Sequence, residues 1–125
     1  ETTLRHSVSC WSIGRTSEHC GVCVPCIVRR ISFEAHHVPD AAYTFDIFGD
    51  HTALGAPGAR DNLTHLIRHV DQLASASEID MQIAFPELLN GSGSLPLEEA
   101  IDLQRRWARQ ATSALLRQPV PRSIW

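Results

Sequence analysis

The sequence lacks the features that would assign the protein to a membrane or to nucleic acid. Its 125 residues contain no apolar run near the roughly 18 residues that a membrane span needs, and no signal-peptide stretch near the start. Eleven basic and 14 acidic residues give a net charge of −3, so there is no basic excess of the kind that general nucleic-acid binders carry. We therefore expect one cytoplasmic globular domain, or part of one, without a membrane partner.

The sequence also lacks cysteine after residue 26, although four cysteines precede that point as Cys10-x9-Cys20-x2-Cys23-x2-Cys26. Cysteines at such short intervals pair poorly as disulfides, because the bond needs facing Cβ vectors. Four thiolates suit a tetrahedral Zn²⁺, and a reducing cytoplasm favours metal over disulfide. Three alternatives stay open: an iron–sulfur cluster, His19 in place of one cysteine, and a nucleic-acid zinc ribbon, although a second Cys-x2-Cys pair is missing.

Apolar periodicity predicts a mainly α-helical fold, with a zinc-stapled loop and first helix followed by a small helical extension. We assign residues 1–38 to the metal motif and first helix, and residues 39–125 to the extension. Alternating apolar residues permit a short strand at 43–47, and a glycine–serine run at 90–94 predicts a turn. Helices are expected at 24–37, 60–74, from Ser77 to Pro86, and 96–117.

The residues around the cysteines resemble the zinc motif of the 7-cyano-7-deazaguanine synthase family, within the PP-loop (adenine nucleotide α-hydrolase) superfamily. The resemblance covers about residues 7–35. It implies a structural Zn²⁺ on the four cysteines and an α/β parent fold whose sheet is largely missing from this sequence. We place Arg29 and Trp11 near a nucleotide or substrate, through bidentate hydrogen bonds and purine contact respectively. The matching positions are Cys10, Cys20, Gly21, Cys23, Cys26 and Arg29.

The catalytic signature of that family, a Ser-Gly-Gly-x-Asp-Ser loop that binds ATP, has no counterpart here. The glycine–serine run at 91–94 lacks the aspartate, and the sequence does not begin with Met. The resemblance therefore implies the C-terminal part of a relative found in antiviral gene clusters, without catalytic residues of its own. A missing N-terminal PP-loop region or companion protein would use ATP on a 7-deazaguanine substrate, as in queuosine biosynthesis. The alternative is a non-catalytic, zinc-stabilised protein-interaction module.

Overall fold

Four α-helices and two short 3-10 helices make up the fold in the computed structural model, which describes residues 7–12, 18–86 and 95–125. Within these ranges there is no β-strand, so the predicted mainly α-helical class is confirmed. The 3-10 helices cover His51–Gly55 and Arg122–Ile124. The α-helices are α1 (Val24–Ala35), α2 (Ala59–Ser75), α3 (Glu78–Ala84) and α4 (Leu97–Arg117).

Helix α1 begins directly after a cysteine, with Cys23 at the N-cap and Pro25 in the first turn. Proline fits there because its missing N–H would have no partner inside the helix. The helix was predicted to reach residue 37 but ends at Ala35. The backbone turns into the left-handed region at His37, with φ of 53°, and the next N–H, that of Val38, bonds the carbonyl of Phe33 at 2.9 Å. This local turn ends the helix two residues before the predicted point.

The hydrophobic core lies where α1, α2 and α4 pack against one another. Helix α2 contributes a continuous apolar stripe, and α4 contributes several alanines whose small side chains permit close approach of the helices. Buried residues from both predicted segments, before and after residue 38, belong to this one cluster. Its members include Ile27, Ile31, Leu63, Leu66, Ile67, Val70, Leu73, Met81, Ala108, Ala111, Ala114 and Leu115.

Helix α3 starts at the predicted capping box. The Ser77 hydroxyl accepts the Asp80 N–H at 3.1 Å, and the Asp80 carboxylate accepts the Ser77 N–H at 3.3 Å. The helix ends at Ala84, two residues before Pro86, because a proline disfavours helical geometry in the residue ahead of it. The turn predicted at 90–94 lies outside the described residues.

The strand considered at 43–47 is not formed. Tyr43 makes only an isolated parallel bridge with His19, and the Asp46 carboxylate then accepts the N–H groups of Phe48 and Gly49, each at 3.1 Å. These bonds draw the chain into a turn that ends any extended run. None of the described helices has the length and apolar character that a membrane crossing would require.

Adjacent leucines near the end of α4 test the packing. Leu115 is 0% exposed whereas Leu116 is 68% exposed. Leu115→Ala should lower the free energy of unfolding by about 2–5 kcal/mol, because the cavity cannot fully collapse. Leu116→Ala is the matched control and should change it by no more than about 0.5 kcal/mol. Urea denaturation measures both, and equal effects would contradict this position of α4.

Candidate metal centre

The four cysteines meet at one point. Their sulfur atoms all lie within 4.8 Å of one another, Cys20 Sγ is 3.9 Å from Cys26 Sγ, and none forms a disulfide. A tetrahedral ion with metal–sulfur bonds near 2.3 Å separates its ligands by about 3.8 Å. The spacing therefore fits a single ion bound by Cys10, Cys20, Cys23 and Cys26, and the cysteine group could hold a metal ion.

Two separate chain segments supply the sulfur atoms: one contains Cys10, and the other contains Cys20, Cys23 and Cys26. Backbone N–H groups in these segments donate hydrogen bonds to the sulfurs. Cys10 Sγ accepts the N–H of Ser12 at 3.3 Å and the N–H of Cys20 at 3.4 Å. Cys20 Sγ accepts the N–H of Cys23 at 3.4 Å. Such donors stabilise a thiolate, since hydrogen bonds to a charged acceptor are stronger than those to a neutral one. Cys26, in the first turn of α1, completes the group.

Gly21 lies between the first two cysteines of the Cys-x2-Cys-x2-Cys run. Its position needs glycine for two reasons: a side chain would have no space there, and the backbone φ is positive. Its φ is +81°, and a Cβ atom placed on it would lie 1.8 Å from the carbonyl oxygen of Phe45. The chain beyond it is held close, because the Phe45 N–H bonds the Cys20 carbonyl at 3.1 Å. Only glycine allows the 43–45 segment to cover the cysteine loop this tightly.

The thiols of Cys10, Cys20 and Cys26 lie in different surroundings, which shift their pKa values in different directions. Burial alone would raise the pKa of Cys10, but the N–H groups of Cys20 and Ser12 outweigh it and lower this pKa to about 7. Burial raises the pKa of Cys20, and burial together with the neighbouring thiol of Cys23 raises the pKa of Cys26. A cation at the centre would favour all four thiolates, so binding releases protons.

His19 lies beside the cysteine group rather than inside it. Its Nδ1 atom is 3.8 Å from Cys26 Sγ, and its ring is buried against Tyr43, with ring centroids 5.9 Å apart. Among the residues that the structure describes, the ligand atoms that meet within 4.8 Å are the four sulfurs. His19 in place of one cysteine, left open by the sequence, is not what this geometry favours.

Arg29 is buried and bound within the protein. Its guanidinium bonds Asp40 Oδ1 through Nε at 3.0 Å and through Nη2 at 2.8 Å, and the two side chains are 4% and 1% exposed. A further nitrogen bonds the Ser7 carbonyl at 2.9 Å, and the group stacks 4.5 Å above the Phe33 ring. Asp40 also accepts the Tyr43 hydroxyl. The interactions tie three segments together beside the cysteines.

Sequence reasoning missed Asp40. No periodic spacing connects a carboxylate with an arginine eleven residues earlier, so the pair could be found only in three dimensions. Trp11, the other residue predicted near a nucleotide or substrate, follows Cys10 and is 74% exposed. Its role near a ligand stays a prediction.

Comparisons with protein-family models, with curated proteins and with solved structures found no match to this chain.

The Arg29–Asp40 pair should be indispensable for folding in the absence of any ligand. Arg29→Met leaves a buried carboxylate without its cation, which costs about 3–5 kcal/mol in comparable pairs. The control is Arg106→Met, since Arg106 and its partner Asp102 are 59% and 57% exposed and such pairs contribute about 0–1 kcal/mol. Urea denaturation in nucleotide-free buffer measures both variants. A stable Arg29→Met protein would indicate that Arg29 serves a ligand instead.

Proposed function

We propose that the four cysteines hold a structural Zn²⁺, and that the chain is the zinc-bearing C-terminal part of an ATP-dependent enzyme acting on 7-deazaguanine compounds. The observation that carries the metal assignment is the meeting of four sulfurs within 4.8 Å. The family assignment is supported by the resemblance in sequence together with the roles of its non-cysteine positions. Gly21 permits close chain packing, and Arg29 anchors the segment that leads to Cys10.

Zinc is favoured over an iron–sulfur cluster by the compactness of the ligand group. A cluster places several irons and inorganic sulfides between its cysteines, which spreads the cysteine sulfurs farther apart than a single ion does. Here even the outermost pair lies within 4.8 Å. A four-cysteine mononuclear site is the typical arrangement of structural zinc.

The site is suited to structure rather than to catalysis. Catalytic zinc keeps one coordination position for water or substrate, whereas four cysteines fill the tetrahedron. Cys10, Cys23 and Cys26 are buried and Cys20 is only partly exposed, so the sulfurs offer a substrate little access. We therefore assign no catalytic residue in this chain. ATP chemistry would belong to a PP-loop region or companion protein, which would also supply most of the deazaguanine site.

The structure changes how Arg29 enters this proposal. A guanidinium that binds Asp40 and Ser7 in the interior of the protein contributes most simply by holding the metal loop in place. Trp11 keeps its proposed place near a purine, because an exposed aromatic ring beside a rigid metal loop offers a stacking surface.

A second candidate function is the zinc-stabilised interaction module. The observation that favours it is the exposure of several large apolar side chains on the outer faces of α3 and α4. Exposed apolar surface of this kind is typical of surfaces that bind another protein. The residues are Ile79, Ile83, Leu103 and Leu116.

Protein purified without added metal should contain one zinc ion per chain by mass spectrometry. Removing it with a strong chelator should unfold roughly the first forty residues, because structural zinc contributes about 10–16 kcal/mol, comparable with the whole stability of a domain. Circular dichroism and hydrogen exchange would follow the loss. Cys26→Ser should reproduce it, and re-addition of Zn²⁺ should restore the wild type only.

Four readily alkylated thiols in the native protein, with no ion bound, would disprove the metal site. A melting curve unchanged by chelator would show that the ion, if bound, does not hold the fold.

The family proposal is tested separately from the metal. We expect the reading frame that encodes this chain, or a neighbouring gene, to contain a Ser-Gly-Gly-x-Asp-Ser segment. ATP–pyrophosphate exchange with 7-carboxy-7-deazaguanine should need that region, and the 125-residue chain alone should give none. A gene context without such a segment would favour the interaction module, and exchange by the isolated chain would contradict the absence of an ATP-binding loop.

A further inference from the structure

Among the described residues, His19 and Arg29 are the polar or charged residues that are buried as whole residues. Arg29 has a carboxylate partner, as shown above. His19 instead directs a ring nitrogen at sulfur, with Nδ1 3.8 Å from Cys26 Sγ. A buried imidazole needs a partner for each polar atom, since an unpaired one costs free energy. The contact with Cys26 is therefore the feature of His19 that requires an explanation.

The position of His19 is fixed on two sides. Its carbonyl accepts the N–H of Thr44 at 2.9 Å, and the next residue, Cys20, belongs to the metal-binding group. Its ring packs at a tilt of 57° against Tyr43. The hydroxyl of Tyr43 in turn donates to Asp40. These contacts place the imidazole beside Cys26.

The direction of the hydrogen bond follows from the chemistry of the acceptor. A metal-bound thiolate carries lone pairs and no proton, so Nδ1 must carry the hydrogen. This requires the imidazole tautomer protonated at Nδ1, the atom that lies 3.8 Å from Cys26 Sγ. The contact is then an N–H···S⁻ bond, assisted by the negative charge on sulfur.

We propose that His19 is a positioning residue of the metal centre, which donates its Nδ1–H to the Cys26 thiolate and thereby orients this ligand and disperses its charge. The inference rests on the proposed metal site and extends it to a residue that binds no metal itself. Four thiolates around a divalent cation leave a net charge of −2 in the protein. Cys10, Cys20 and Cys26 each receive backbone N–H donors, that of Cys26 coming from Gly21, and the fully buried Cys26 gains His19 as a side-chain donor as well.

A residue that hydrogen-bonds to a metal ligand changes the metal affinity and the electronic spectrum of the site. Removing a hydrogen-bond partner of a metal ligand lowers metal affinity by about 10–100-fold in characterised sites. It also alters the electronic spectrum. A hydrogen bond stabilises the sulfur lone pairs, so its loss moves the thiolate-to-metal charge-transfer band of a Co²⁺-substituted site to longer wavelength. If His19 only filled space, its replacement would cause neither change.

The experiment compares His19 variants of the full 125-residue chain. His19→Phe keeps an aromatic ring against Tyr43 but removes the donor. It should weaken Zn²⁺ binding about 10–100-fold in chelator competition and shift the Co²⁺ band to longer wavelength. His65→Phe, at an exposed histidine of α2, is the control and should leave both unchanged. Wild-type affinity and an unshifted band in His19→Phe would overturn the proposal.

A second pair of variants keeps the test decisive if His19→Phe does not fold. Asparagine and leucine have similar shapes, but only asparagine retains an N–H near the position of Nδ1. His19→Asn should bind Zn²⁺ more tightly than His19→Leu and keep the Co²⁺ band nearer that of the wild type. Equal affinities and bands for the two would overturn the role of His19 while leaving the metal site intact. A wild-type chain that binds neither Zn²⁺ nor Co²⁺ would overturn both.

Discussion

The convergence of four sulfur atoms in one buried place is the constraint on which the amino-terminal part of the structure depends. Four thiolates repel one another, so a cation at the centre would stabilise the arrangement. Within the described residues 7–12, the segment around Cys10 contains no helix. Its position follows from N–H bonds to sulfur and from the bond between Ser7 and Arg29.

Helix α1 connects this centre with the rest of the molecule. One turn of the helix presents Cys26 to the other sulfurs, while Ile27 and Ile31 enter the core formed with α2 and α4. Arg29, on the same helix, binds Asp40 and so places the segment that passes over Gly21. A single rigid element thus carries metal ligand, core residue and buried ion pair, and displacement of any one of them moves the others.

The sequence was sufficient for those features that depend on local spacing. Cysteine intervals predicted the sulfur group, apolar periodicity predicted the helices, and Ser77 with Asp80 predicted a capping box. It was insufficient where distant segments meet. The partnership of Asp40 with Arg29 has no local pattern. The strand permitted at 43–47 is not formed, and the Asp46 side chain instead bonds the N–H groups of Phe48 and Gly49 and turns the chain. These features depend on side-chain contacts and not on the local sequence propensity for helix or strand.

The predicted metal motif and first helix depend energetically on the helical extension that follows them. Without α2 and α4, Ile27 and Ile31 would be exposed to water, and each buried side chain of this kind contributes about 1.5–3 kcal/mol. The end of α4 also returns to α1, where Arg117 bonds the carbonyl of Glu34 at 3.2 Å. The extension therefore covers the apolar face of α1. A cysteine motif that bound a cation would still need this cover, because the ion would stabilise the loop while the apolar face of the helix must be buried elsewhere.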